Sequence, residues 1–248
     1  MATKTFKIPE ALEGLGSHGC CQGCGHGIAA RIIYEVIEEM GLTKNCIAFH
    51  DLACGSNMLY AQKYHGFSGA HGRAIPTATG FKRTRPDMLV FSYAGDGATY
   101  SIGMQHTVHT AMRDENITAI VINNTNFGMT GGQMSPTSLI GQKTTSSPAG
   151  RTKELNGDPV DVVKLYTDMD IAYLARGAVD SVPNINKTKN YIRKAFEKQM
   201  AGEGFSFVEI LAPCPTNWGM TPAQSLERMQ NEVFKKYELG EFIERSAK

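Results

Sequence analysis

Two apolar runs, "DMLVFSYAG" and "ITAIVINN", constrain this chain most, because "TYSIGMQHTVHTAMRDE" lies between them. Each run is short and biased toward β-branched and aromatic residues, which suits a buried strand. The intervening segment suits a helix. Strand, turn, helix and strand in sequence make a βαβ unit with parallel strands and a right-handed crossover. Both strands then end on the same rim, and ligands of open parallel sheets bind outside that rim.

The same alternation continues along the chain. "GIAARIIYEVIEEMG" reads as an amphipathic helix, with Ile28, Ile32, Val36 and Met40 every four residues and a Gly41 stop. "DPVDVVKLYTDM" suits a short helix with Asp158 near its N-cap, and residues 136–150 form a long Ser/Thr/Gly-rich loop. "IAYLARGAV" and "FSFVEILAP" read as strands flanking the helix "NINKTKNYIRKAFEKQMAG". The expected fold is α/β: one doubly wound, mostly parallel sheet over residues 1–248, with a C-terminal helical extension at about 222–248. A formal net charge of +1 gives no reason to expect nucleic acid or an anionic membrane as partner. No apolar run is long enough to span a bilayer, and the N-terminus has no apolar signal core. The expected location is therefore cytoplasmic, where thiols stay reduced. The six cysteines are then candidates for metal ligands or buried apolar residues.

Gly95-Asp96-Gly97 falls where the first strand gives way to the helix, and Asn123-Asn124 ends the next strand, after 25 intervening residues. The glycines suit a tight turn that a diphosphate can approach, and the helix start offers free N–H groups. A carboxylate from Asp96, a carboxamide oxygen from Asn124 and a backbone carbonyl, taken as that of Asn126, are hard donors that suit Mg2+. Each piece alone is more often a plain turn or strand end. Cys21-x-x-Cys24, Cys54 and Cys214 could supply four thiolates to zinc or to an iron–sulfur cluster. The glycines around them favour the cluster, because exposed N–H groups bond its sulfurs. Cys20 and Cys46 are read as small buried residues, although Cys20 could replace Cys21 with a one-residue shift.

Glycine-Asp-glycine followed by Asn-Asn at this spacing resembles the diphosphate-binding motif of thiamine diphosphate enzymes. Together with "CQGCGHG", "HGRAIPTATGFKRTRPD", "NNTNFGMTGGQMSPTS" and "CPTNWGMTP", the chain resembles the β subunit of 2-oxoacid:ferredoxin oxidoreductases along nearly its whole length. The resemblance implies thiamine diphosphate and Mg2+ at Asp96, Asn124 and Asn126. It implies one 4Fe–4S cluster on Cys21, Cys24, Cys54 and Cys214. Gln22 stands where many relatives have a proline, which touches no ligand. The implied reaction oxidises a 2-oxoacid to an acyl-CoA with coenzyme A, releases carbon dioxide and delivers electrons to ferredoxin. An α-type subunit would complete the thiamine site and supply its glutamate, and γ/δ-type subunits would join the assembly.

His26, His71 and Arg73 are further candidates by their position. The competing reading is a hydrogen-bonded structural histidine or a surface ion pair. Arg73 could pair with a substrate carboxylate. Gly131 stands where 2-oxoglutarate-using relatives often carry a lysine, so uncharged branched-chain 2-oxoacids such as 2-oxoisovalerate are expected. Two alternatives stay open: a non-redox thiamine-dependent decarboxylase subunit, and a zinc-binding regulatory module.

Overall fold

The computed structural model describes residues 7–12 and 18–246. The helices are α1 (His26–Glu39), α2 (Ala74–Thr84), α3 (Met104–Met112), α4 (Lys153–Asn156), α5 (Val162–Tyr166), α6 (Val182–Met200), α7 (Pro215–Trp218), α8 (Pro222–Arg228) and α9 (Phe234–Lys236). The strands are β1 (Cys46–His50), β2 (His65–Ser68), β3 (Leu89–Gly95), β4 (Thr118–Asn123), β5 (Asn126–Phe127), β6 (Gln133–Met134), β7 (Tyr173–Ala178), β8 (Ser206–Leu211) and β9 (Gly240–Glu244). One sheet runs β2-β1-β3-β4-β8-β7-β9, and β5 and β6 form a separate small antiparallel pair. Every neighbour pair in the large sheet is parallel except β7 with β9.

The centre of the sheet explains why its strands were legible. Strands β4, β7 and β8 are buried at every residue, and β3 at all but its last. A parallel strand covered on both faces reads as a continuous apolar run. Helices α1 and α6 pack on one face. Helices α2, α3 and α5 pack on the other. The sheet is thus doubly wound, as expected.

Four details differ from the sequence reading. In helix α1 Ile32 and Val36 are buried as read, together with Ala29, Ala30, Ile33 and Ile37, while Ile28 at the head of the row is 39% exposed. Steps of four residues drift about 40° around a helix, so a strict four-residue row leaves the buried face. Asp161, not Asp158, caps α5: its side chain accepts from Val163 N at 3.2 Å. Pro159 and Val160 separate Asp158 from the helix, and Asp158 pairs with Lys153 instead, at 2.9 Å. The C-terminal region is not helical throughout. After a π-helical turn at Met229–Val233 and the short α9, the chain turns back as β9. Phe242 and Ile243 pack on the core there, while Glu241 and Glu244 bond Lys194 at 2.7 and 3.1 Å. Finally β1, β2 and α2 were not anticipated from the sequence.

Candidate functional site

Strands β3 and β4 lie side by side, Gly95 opposite Ile122, so Asp96 and Asn124 leave the same rim. A cavity of about 230 Å³ opens there, lined by Asp96, Asn124 and Asn126 together with His26, His71 and Cys54. Asp96 is 1% exposed. Its Oδ2 accepts from Ser135 Oγ at 2.7 Å and, at close range, from Thr137 Oγ1. Burial pushes its carboxyl up to about 6, against the pull of those hydroxyls and of the Gly97 N–H.

The second oxygen, Oδ1, faces Asn124. The inner amide atom of Asn124 lies 2.8 Å from the Asn126 carbonyl oxygen and 3.3 Å from Asp96 Oδ1. With nitrogen at that position, the amide donates to both. With oxygen there, Asp96 Oδ1, the Asn124 amide oxygen and the Asn126 carbonyl face one another, with only the Asn126 N–H, 3.4 Å from the amide oxygen, among them; such hard oxygens suit a small divalent cation. One amide rotation therefore converts a hydrogen-bonded triad into a cation seat, and the residues present fit Mg2+.

Thr125 makes the convergence possible. It adopts φ 59°, a left-handed conformation that a β-branched residue rarely takes. The surroundings hold it there. Its N–H donates to Asn123 Oδ1 at 3.1 Å, and its carbonyl accepts from Ser138 Oγ at 2.6 Å and Gln142 Nε2 at 2.8 Å. Ala53, at φ 139°, lines the same cavity. Such strain gathers at functional sites. Trp218 Nε1 donates to the Asn124 carbonyl at 3.2 Å and so braces the turn from α7.

The glycines act differently from each other. Gly97 has helical φ, so its need is for space: an added Cβ would lie 2.3 Å from the Phe127 ring. At Gly95 an added Cβ would meet only the Ile122 carbonyl, at 4.0 Å, which leaves the cavity floor open. Gly131 lies outside the cavity lining, next to Thr130, with φ 107° and open space beside it.

Among the proposed ligand cysteines, Cys54 lines the cavity and Cys214 is buried beside it. Cys214 Sγ accepts from Asn217 Nδ2 at 3.5 Å and lies 3.9 Å from Asn126 Oδ1. The Cys20 thiol hydrogen-bonds Cys24, which brings Cys24 down to about 7, while Cys21 is exposed. Burial pushes Cys54 up to about 12, with Cys24, Cys214 and Cys21 adding to the rise. These thiols thus share one neighbourhood, and Cys20, read from sequence as a buried apolar residue, belongs to it. Cys46 is buried in the core as expected, with burial pushing it up to about 12. Among the described residues, no three His, Cys, Asp or Glu side chains are gathered tightly enough to hold a single metal ion.

His26 is buried against Tyr93, Nδ1 to hydroxyl 2.8 Å, and burial brings it down to about 4. His71 lines the cavity, its Nδ1 2.8 Å from Asp51 Oδ1. Arg73 does not line it: its guanidinium donates to the carbonyls of Gly72 at 3.1 Å and Ile102 at 2.9 Å.

Sequence reasoning missed several supports. Arg151 is buried and donates to six backbone carbonyls between Ser135 and Asp158, at 2.9–3.1 Å, fixing the loop that carries Ser135 and Thr137. Glu209 on β8 accepts from Asn123 Nδ2 at 3.0 Å and Tyr100 hydroxyl at 2.7 Å, and pairs closely with Arg176 Nε. A charged residue inside an otherwise apolar strand was the available signal for both Glu209 and Arg176.

Converging oxygen donors and an open floor thus lie at the carboxyl ends of adjacent parallel strands, where ligands of open parallel sheets bind. The family description "Thiamine pyrophosphate enzyme, C-terminal TPP binding domain" matches residues 47–210. Among relatives, the 2-oxoglutarate synthase subunit KorB of Archaeoglobus fulgidus is 30% identical, over 92% of this chain and 88% of that protein. The ketoisovalerate oxidoreductase subunit VorA of Methanothermobacter thermautotrophicus is 35% identical, over 92% of this chain and 48% of that protein. This chain therefore spans about half the length of that subunit. A solved 2-oxoglutarate:ferredoxin oxidoreductase from Magnetococcus marinus shares the fold, with a TM-score of 0.75 at 24% identity, covering 96% of this chain and 89% of that one. The chain belongs to the thiamine pyrophosphate enzymes. Within them it is a member of the β-type subunits of 2-oxoacid:ferredoxin oxidoreductases. No helix among the described residues is long and apolar enough to cross a membrane.

Proposed function

We propose that this chain is the thiamine diphosphate- and cluster-carrying subunit of a cytoplasmic enzyme that converts a 2-oxoacid and coenzyme A to an acyl-CoA and carbon dioxide, with electrons passed to ferredoxin. The observation that carries it is the meeting of Asp96 Oδ1, the Asn124 amide and the Asn126 carbonyl at the mouth of one cavity. Those three groups would hold Mg2+, and through it the diphosphate. When bound, thiamine diphosphate supplies an electron sink for loss of the carboxylate. The chain's own part is to seat the diphosphate over Gly95, keep Asp96 ionised through Ser135 and Thr137, and wall off water with Phe127. Cys24, Cys54, Cys214 and either Cys21 or Cys20 would hold a 4Fe–4S cluster. Their shared neighbourhood beside the cavity supports a short path for electrons leaving the substrate.

No glutamate lines the cavity among the described residues, and its volume falls below the roughly 300–1,000 Å³ of a complete cofactor site. Both features support completion by an α-type partner, with γ/δ-type subunits relaying electrons. The uncharged Gly131 and the kinship with a ketoisovalerate subunit favour branched-chain 2-oxoacids.

The test is iron and acid-labile sulfide on this chain, resolved from anaerobically purified complex, followed by coenzyme A-dependent ferredoxin reduction. About four of each per chain is expected. Zinc, or neither, removes the cluster and leaves a non-redox decarboxylase subunit. Faster turnover of 2-oxoglutarate than of 2-oxoisovalerate removes the substrate assignment.

A further inference from the structure

His71 sits in the turn between β2 and α2, and nothing above gives it a task. Its Nδ1 lies 2.8 Å from Asp51 Oδ1 and 2.8 Å from the Leu52 carbonyl oxygen. Both neighbours are acceptors, so Nδ1 must carry the proton. Nε2 has no hydrogen-bond partner among the described residues, and the ring lines the cavity beside Asp96, Asn124 and Phe127. In that tautomer the ring, when neutral, offers a lone pair on Nε2.

Asp51 is built to hold that tautomer. It is 3% exposed and directly follows β1, where its N–H extends the ladder to the Tyr93 carbonyl at 2.9 Å. Its Oδ1 also accepts from Gly72 N at 3.0 Å and its Oδ2 from Ala74 N at 3.3 Å. The carboxylate is thus fixed by a rigid strand end and by the start of α2, independently of the histidine it faces. The other cavity histidine, His26, has a tyrosine hydroxyl in place of a carboxylate. Only His71 is equipped to become an imidazolium with a counter-ion waiting.

We propose that His71 is the base that accepts the thiol proton of coenzyme A in this cavity, and that Asp51 is the residue that positions it. The proposal rests on the reaction proposed above. Of the two substrates in that reaction, the 2-oxoacid is already a carboxylate at neutral pH, whereas the thiol still has a proton to lose before sulfur can bond to the acyl carbon. In the step, the S–H bond breaks, its electron pair stays on sulfur, and the proton binds Nε2. A neutral thiol and a neutral imidazole become a thiolate and an imidazolium, and the imidazolium faces Asp51 through its Nδ1–H. The other ionisable groups around His71 are Asp96, Cys54 and His26, which share the cavity, and Arg73, whose guanidinium is turned onto Gly72 and Ile102 carbonyls.

The test uses the assembled complex with thiamine diphosphate and Mg2+ and no 2-oxoacid. The ultraviolet thiolate band of bound coenzyme A, taken as the difference from desulfo-coenzyme A, is followed against pH. A free thiol ionises near pH 8.5. Wild type is expected to ionise the bound thiol at least one unit lower. His71→Gln should return the midpoint to the free value, and Asp51→Asn should raise it by about one unit, a tenfold change in thiolate fraction. His71→Asn serves as a second variant should His71→Gln fold poorly. A merely structural role for either residue would reduce the coenzyme bound without moving the midpoint. Unmoved midpoints in variants that still bind coenzyme A overturn the dyad alone. Failure of wild type to bind coenzyme A overturns both the dyad and the acyl acceptor named in the proposed function.

Discussion

Glu209→Gln offers the sharpest check on how the site is held. Glu209 is 1% exposed and its partner Arg176 is equally buried. Oε1 of Glu209 takes Tyr100 and Asn123, while Oε2 takes Arg176 Nε. Arg176 also donates to Asp161 Oδ1 at 2.6 Å and to the Glu238 carbonyl at 3.2 Å, and its guanidinium lies 5.2 Å from the Tyr237 ring centre. Glutamine keeps an acceptor for Tyr100 and Asn123. It places an NH2 group against Arg176 Nε–H, donor facing donor, and leaves the guanidinium with Asp161 as its one carboxylate partner. Breaking a buried pair from one side costs about 3–5 kcal/mol. That is a large share of a typical 5–15 kcal/mol total, so the variant should fold but melt early. Urea unfolding can be followed by the fluorescence of Trp218, the sole tryptophan, which bonds the Asn124 carbonyl at the site itself. In the double variant Glu209→Gln with Arg176→Met no buried cation is stranded, so it should be less destabilised than the sum of the singles by about 1–3 kcal/mol. A loss below about 1 kcal/mol for Glu209→Gln, or additive singles, would refute the reasoning.

Asp96→Asn should abolish Mg2+-dependent thiamine diphosphate binding, by at least about a hundredfold in calorimetry. It should also stabilise the cofactor-free subunit by about 1–3 kcal/mol at neutral pH, because it removes a buried charge whose carboxyl is raised to about 6. Arg151→Met strips donors from six carbonyls, so limited proteolysis should cut within residues 135–158 and cofactor affinity should fall about tenfold or more. Acidification acts in two directions. His50 is brought down to about 4 by burial, so its contribution of about 3 kcal/mol is present above pH 6.5 and lost as pH falls through 4. Asp96 has the opposite sign, its contribution being present below its unfolded value near 4 and lost as pH rises through 6. Urea midpoints of the cofactor-free subunit between pH 7 and 4 should therefore fall less steeply in His50→Gln and more steeply in Asp96→Asn than in wild type.

The central strands, and the meeting of Asp96 and Asn124 at one rim, were legible because each leaves a local mark. Burial on two faces writes an apolar run, and Gly95-Asp96-Gly97 and Asn123-Asn124 interrupt two such runs at the same end. Strand β1 left no such mark, being five residues long with Cys46 and His50 at its ends. Helix α2 was obscured by Pro76, Gly80 and five other small or hydroxylated residues within eleven. The supports of the site are non-local. Ser135 and Thr137 reach Asp96 across 39 and 41 residues, and Glu209 reaches Asn123 across 86. No spacing rule connects such pairs before the sheet order is known. Thr125 is the plainest case: nothing in a threonine forecasts a left-handed turn, which the surrounding hydrogen bonds impose. Arg73 illustrates the reverse, since a cation beside the cavity in sequence is occupied by carbonyls in space.

The hydroxyl of Tyr237 donates to the Thr137 carbonyl at 2.7 Å, and Thr137 in turn bonds Asp96. Asp96 itself leaves the ribosome 141 residues earlier. At about 5–20 residues per second, roughly 7–28 s of synthesis separate the carboxylate from its last brace. During that interval β8, which anchors Asn123, is also still to come. Cofactor capture that depends on this brace therefore waits until Tyr237 has been made and has reached Thr137.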